Sequence, residues 1–264
     1  MPPDTETPAA AWDPAQYLRF ADARLRPALD LLAQVPLAAP ARVADLGCGP
    51  GTVTRLLRQR YPAAEVTGID SSAAMLAKAR ETAPGCRFLA CGFAEWRPEA
   101  PPDLIFSNAA LHWTGGHEVL LPRLFDLLAP GGVLAVQMPA MHDAPLRRLQ
   151  QEVAASGPWA ARLADVADTA RAILDPGAYW DILRPRAAGL DIWETIYLHP
   201  LAGPDPVVAW AEGSSLRPFL AALAPEQRDG FRAAYAEALR PHYPPRPDGT
   251  TLLPFRRLFL IASR

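Results

Sequence analysis

The chain has 264 residues, half of them hydrophobic, enough for one large domain or a domain carrying an added segment. Its 26 Lys and Arg nearly balance 28 Asp and Glu, leaving a net charge of −2, so it lacks the basic field that would hold a nucleic-acid backbone. Cys48, Cys86 and Cys91 show no C-x-x-C spacing, which argues against a disulfide framework or a zinc site, and no apolar run approaches the ~18–20 residues of a membrane span.

The N-terminus has neither a basic n-region nor an apolar h-region, so it does not read as a signal peptide. Residues 1–11 are expected to be a disordered tail, residues 12–42 helical, and the chain cytoplasmic. From Val43 to Met138 strands and helices alternate. Val43–Leu46 reads as a strand, and Thr52–Tyr61 as a helix with apolar residues at 53, 56 and 57. Glu65–Asp70 is a second strand, followed by a helix capped by Ser71 or Ser72 and running to about Ala83. Arg87–Cys91 and Asp103–Asn108 are further strands. His117–Leu128 is helical and stops at Pro130-Gly131-Gly132, before a fifth strand, Val133–Met138. Strands apolar throughout and separated by helices predict a parallel sheet covered on both faces.

After Pro139 the rhythm changes. Residues 144–172 read as helix interrupted at Gly157-Pro158, with helices around Pro206–Glu212 and from Pro225 to Leu239. Asp191–His199 and Leu252–Ala262 read as two last strands. The expected fold is α/β: a Rossmann-like, seven-stranded, mostly parallel sheet with helices on both faces and a helical lid. Residues 12–264 form one domain, 43–138 its core and 139–264 a cap plus the last strands. The 30 prolines fall mostly at element ends, where they do least harm.

The most informative stretch is Val43-Ala-Asp-Leu-Gly-Cys-Gly-Pro-Gly51. An apolar run carries an acid, Asp45, and three glycines follow at alternate positions, Gly47, Gly49 and Gly51. Glycine accepts φ > 0 and lets a ligand lie against bare backbone. A strand turning through such a loop into a helix is expected to offer free N–H groups and a positive dipole end. Nineteen residues after Gly51 a second apolar run ends in Asp70, where a doubly wound sheet places the carboxylate that accepts from a ribose. An adenosine-containing ligand is therefore expected. The dinucleotide fingerprint would need its third glycine at 52, where Thr52 stands.

This G-x-G-x-G spacing after an acid resembles the class I S-adenosylmethionine-dependent methyltransferases. So do Asp70, Asn108 at the end of the fourth strand, and Leu128-Ala-Pro-Gly-Gly-Val-Leu134. The resemblance implies S-adenosylmethionine as co-substrate. It assigns Asp70 to the ribose hydroxyls, the Gly47–Gly51 backbone and Asp45 to the methionine part, and the Asn108 carbonyl to its ammonium. Ser71 and Met75 would flank ribose and adenine. Many relatives have an Asp after the third strand for the adenine amino group. Cys91-Gly92-Phe93 stands there instead, so adenine would rest on the backbone at 92–94 and on Phe93.

The flanking segments Trp12-Asp-Pro-x-x-Tyr17, Leu216-Arg-Pro-Phe-Leu220 and Phe255-Arg-Arg-Leu-Phe259 resemble members that esterify one carboxylate of a tricarboxylic acid, trans-aconitate. Such a carboxylate is already ionised at pH 7, so no general base is expected. Arg217 and Arg257 are the candidate clamps for the carboxylates not attacked, since guanidinium forks match them. Surface pairing with Asp or Glu, or helix capping, is the alternative reading of both. Arg256 competes with Arg257, because strand alternation sends neighbours to opposite faces. His112, Trp113, Tyr179 and Tyr197 are candidate neutral donors for the attacked group, and Arg26 a candidate lid residue. His117, His142, His199 and His242 lack metal spacing and read as surface or capping residues, so no metal is expected. A small tricarboxylate is the expected partner, with no nucleic acid and no membrane; protein partners stay open. Other readings are another small acid or a malonyl thioester as acceptor, a nicotinamide oxidoreductase, or a binding module without turnover.

Overall fold

A computed structural model describes residues 21–166 and 173–264, with side chains from residue 25 onward. The expected tail, the segment 12–20 and the end of the 144–172 helix lie wholly or partly outside the described residues. Helix α1 spans Ala21–Gln34 and β1 Arg42–Leu46. Then come α2 (Thr52–Arg60), β2 (Glu65–Asp70), α3 (Ala73–Thr82), β3 (Arg87–Ala90) and β4 (Leu104–Asn108). A 3-10 turn at Leu111–Trp113 leads to α4 (His117–Asp126) and β5 (Val133–Pro139). The remainder is α5 (Pro145–Ala154), a single turn α6 (Ala160–Leu163), α7 (Pro176–Leu183), β6 (Gly189–Leu201), α8 (Pro206–Glu212), α9 (Arg217–Ala222), α10 (Pro225–Leu239) and β7 (Thr251–Ser263). Among the described residues no helix is long and apolar enough to cross a membrane.

The seven strands form one sheet in the order β3-β2-β1-β4-β5-β7-β6. The pairs β1–β2, β1–β4, β2–β3 and β4–β5 are parallel, and β7 runs antiparallel to β5. The expected seven-stranded, mostly parallel α/β sheet is what forms. The chain order reverses between β1 and β4, the topological switch point where open α/β sheets bind ligands beyond the carboxyl ends of their strands.

Two compact units are distinguishable, residues 24–140, 173–196 and 256–264 in one, and residues 21–23, 141–166 and 197–255 in the other. In the first, one sheet face (Leu46, Ile105, Leu134, Val136, Leu260) packs with Leu121, Leu124 and Phe125 of α4 and with Tyr179 and Leu183 of α7. Each such fully buried side chain contributes about 1.5–3 kcal/mol. The second unit has its own core, where Leu149 and Val153 of α5 join Trp210 of α8, Phe219 of α9, and Phe231 and Tyr235 of α10.

Proline and serine set several helix starts. Pro145, Pro176, Pro206 and Pro225 are the first residues of their helices, where a missing N–H costs nothing. Ser72 caps α3 by accepting from the Met75 N–H. Pro27 and Pro122 depart from this rule and lie inside α1 and α4. Helix α7 was not expected from the sequence, although Asp175-Pro176 marks its start.

Gly51 shows why the turn after β1 needs glycine. Its φ is +82°, and a Cβ there would stand 2.9 Å from the Ala79 Cα of α3. Gly131 is comparably left-handed, at φ +75°, but has open space around it. Gly131→Ala is expected to lose only the left-handed penalty of about 1–2 kcal/mol. Gly51→Ala should lose clearly more, because α2 and α3 must separate. Thermal melts of the two variants measure the difference.

Candidate functional site

The carboxyl ends of β1, β2 and β4 carry part of the set singled out from the sequence, the glycine turn, Asp70 and Asn108. After β1 the chain passes through Gly47, Gly49 and Gly51, all at positive φ. A Cβ on Gly47 would fall 2.2 Å from the Ala110 Cβ and 3.2 Å from the tip of the Phe93 ring. The turn after β1 therefore touches the loops after β4 and β3, and only glycine fits between them.

The backbone hydrogen bonds of the turn overturn one expectation. Gly47 and Cys48 donate to the Ile69 carbonyl, Gly51 donates to the Cys48 carbonyl, and Gly49 donates to Oδ2 of Asp70 at 2.9 Å. Pro50 has no N–H. Every N–H from 47 to 51 is thus already engaged, and the turn does not offer the free donors expected of it. A pyrophosphate would need those donors. What the turn presents is bare backbone beside acids, which suits a ligand carrying positive charge.

Asp70 holds this arrangement. Its second oxygen accepts from the Ser72 N–H at 2.8 Å, so one carboxylate ties the turn after β1 to the start of α3. Each oxygen keeps a lone pair for a further donor. Ser71 is exposed and Met75 half-buried on the first turn of α3, next to this carboxylate in sequence. Phe93 is half-buried against Gly47, and its carbonyl accepts from Arg123.

Asp45 has a different post. It is 1% exposed and accepts from the Thr54 hydroxyl at 2.6 Å, bracing β1 against α2. Burial pushes its carboxyl up to about 7; the Thr54 bond opposes this and the nearby Asp70 charge adds to it. Cys48, wedged between glycines, is buried, and its thiol is also pushed up by burial.

Beside β1, Asn108 closes β4, and the next residue, Ala109, sits at φ 51°, a conformation that costs a non-glycine residue about 1–3 kcal/mol. Asn108 is the register partner of Gln137 on β5, and Pro139 at the end of β5 is the partner of Arg257 on β7. Arg257 is 4% exposed and its Nη1 donates a long bond, 3.5 Å, to Oε1 of Gln137. Its neighbour Arg256 takes the other face, donating to the Ala140 carbonyl and lying 3.8 Å from Glu194. Strand alternation thus sends the two arginines to opposite faces, with Arg257 on the face that holds Gln137. His112 is buried on the 3-10 turn after β4, with its ring 4.6 Å from that of Trp113, which is largely exposed.

Tyr179 is not where the sequence placed it. It is wholly buried on α7, its hydroxyl 2.6 Å from His117 Nδ1 and accepting from the Leu174 N–H. His117 Nε2 lies 3.0 Å from the Leu111 carbonyl, which can only accept, so Nδ1 is the acceptor for the tyrosine. Tyr179 is therefore committed to the core, and His117 is a buried latch on the 3-10 turn rather than a surface residue.

Arg26 lies on α1 with its side chain largely exposed, 3.8 Å from Asp30 one turn on. In the second unit, Arg217 opens α9 and is half-buried. Tyr197 is buried on β6, its ring parallel to that of His199, which stacks on Trp210 at 4.6 Å. His199 is likewise buried, not a surface residue. Two buried polar residues were given no role from the sequence. Gln137 announces itself only as the one polar residue in an apolar strand. Arg147 on α5, 8% exposed, lies in the stretch read only as helix.

A family model described as a methyltransferase domain matches residues 43–132. The chain is 52% identical to a trans-aconitate 2-methyltransferase of Methylobacterium radiotolerans, over 97% of this chain and 99% of that protein. It is 50% identical to a protein of the same name from Paracidovorax citrulli, over 96% and 98% of the two chains. One from Streptomyces avermitilis is 49% identical, over 97% and 99%. Among solved structures, the YcgJ protein of Bacillus subtilis shares the fold at TM-score 0.57 and 15% identity, covering 89% of this chain and 96% of that one. Phosphoethanolamine N-methyltransferase 2 of Haemonchus contortus, solved with S-adenosyl-L-methionine, matches at TM-score 0.54 and 17% identity, over 90% and 52%.

The raised Asp45 carboxyl gives the fold a pH signature. Folded, the group keeps its proton where the unfolded chain has lost it, so stability falls as pH rises from the ordinary carboxyl range to about 7, then levels off. Asp45→Asn should abolish that segment of the stability curve, as read by denaturant titrations across the acid-to-neutral range.

Proposed function

The chain belongs to the trans-aconitate 2-methyltransferases, and on that footing we propose that it transfers the methyl group of S-adenosylmethionine to one carboxylate of trans-aconitate. The products are a monomethyl ester and S-adenosylhomocysteine. The observation that carries the reading is a buried guanidinium, Arg257, on the same sheet edge as a glycine turn whose own donors are spent. One end of that edge favours a cationic ligand and the other an anionic one.

Asp70 holds the ribose hydroxyls with the lone pairs its two backbone bonds leave over. Phe93, Ser71 and Met75 flank the nucleoside, and the Asn108 carbonyl faces the methionine ammonium. The Gly47–Gly51 backbone lies along the methionine part, with Asp45 behind it as brace. When bound, S-adenosylmethionine supplies a methyl group on a sulfonium sulfur, whose C–S bond breaks as a carboxylate oxygen bonds to the carbon, with no proton to move. The side chains around it have only to align the acceptor, which can be worth about 7–11 kcal/mol. Arg257 holds a carboxylate that does not react, because pairing with the reacting one would lower its nucleophilicity. Arg217, His112, Trp113, Tyr197 and Arg26 carry over from the family resemblance as further acceptor contacts. The three cysteines form no disulfide, and we place the reaction in the cytoplasm.

Incubation with S-adenosylmethionine labelled in the methyl group should label trans-aconitate above other small di- and tricarboxylates. Failure to label any of them, or calorimetric binding of NAD in place of S-adenosylmethionine, would sink the reading. Arg257→Ala and Arg217→Ala should each raise KM and cut kcat/KM about 10- to 100-fold, the loss of a charge-assisted bond, with S-adenosylhomocysteine affinity unchanged. An unchanged kcat/KM in Arg217→Ala removes that residue from the acceptor site.

A further inference from the structure

Gln137 occupies the middle of β5, a strand whose other side chains from Val133 to Met138 are apolar, and it is fully buried. Its register partners are Asn108 on β4 and Phe259 on β7. Arg257 stands two residues from Phe259, so Asn108, Gln137 and Arg257 share one face of the sheet near its carboxyl edge.

The contact with Arg257 decides which way the amide points. A guanidinium has donors only, so it faces Oε1, and the reversed amide would set N–H against N–H. The Gln137 Nε2 is then turned away from Arg257. It is buried and meets no hydrogen-bond partner among the described residues; the same is true of Asn108 Oδ1. Buried polar atoms are nearly always paired, so an orphaned donor and an orphaned acceptor on neighbouring strands mark places for ligand groups. The orphaned donor takes an acceptor-only group, and a carboxylate is one.

We propose that Gln137 is a substrate-orienting residue whose amide N–H, turned by Arg257, binds the carboxylate that receives the methyl group. This rests on the functional reading above and supplies the neutral donor that reading requires. A neutral N–H aligns a carboxylate while drawing less charge from it than a guanidinium does. The edge then carries an acceptor on β4, a neutral donor on β5 and a cation on β7, which sets a cationic methyl donor beside an anionic acceptor.

Two variants test the assignment. Gln137→Glu keeps a partner for Arg257 but replaces the donor by an acceptor, and Gln137→Met removes the donor without adding charge. Both should raise KM for trans-aconitate, by about 10- to 100-fold in Gln137→Met and further in Gln137→Glu. Affinity for S-adenosylhomocysteine should stay at the wild-type value in both, and the melting temperature of Gln137→Glu should be preserved. An active wild type with KM unmoved in Gln137→Glu overturns this assignment alone. Loss of S-adenosylhomocysteine affinity in either variant also overturns it, because the amide then serves the nucleoside. A wild type that methylates none of the acids overturns the functional reading and this assignment with it.

Discussion

One carboxylate fastens the glycine turn. Asp70 accepts from the Gly49 and Ser72 N–H groups, so the turn after β1 and the start of α3 are held by a single charged group. Bonds to an ionised acceptor are roughly twice as strong as neutral ones. The turn it fastens can then be free of side chains, as the approach of Ala110 and Phe93 to Gly47 demands. The neighbouring acid cannot share the same role. Burial pushes the Asp45 carboxyl up to about 7, and its bond from the Thr54 hydroxyl braces β1 against α2.

Much of this was legible because local chemistry agrees with the fold. Glu65–Asp70, Pro206–Glu212 and Pro225–Leu239 have the ends read from the sequence, where an acid closes an apolar run or a proline opens a helix. The other strands shift by a residue or two, where pairing with a neighbour rather than composition sets the end. Helix α7 was missed because its apolar residues include Trp180, Ile182 and Leu183 with little polar contrast.

What the sequence withheld is mostly a matter of who bonds to whom. The glycine spacing shows that backbone must be bare, but not that each N–H is already spent within the fold. A tyrosine is a plausible donor on paper; only packing shows the Tyr179 hydroxyl locked between His117 and Leu174. Gln137 left a faint trace, a lone amide among valines and leucines. That Arg256 and Arg257 face opposite ways follows from the strand's register, which the pairing of Pro139 with Arg257 supplies.

The sheet's connectivity bears on how the site comes into being. Strand β7 lies beside β5, yet the whole stretch from α5 to α10 separates them along the chain. Joining them closes a long loop, the kind of distant contact that slows folding and comes at an entropic penalty. The five parallel strands, linked by short crossovers, can assemble without it. A newly made chain would thus tie its glycine turn to Asp70 first and set the buried Arg257 beside Gln137 last, so the two ends of this sheet edge mature in sequence.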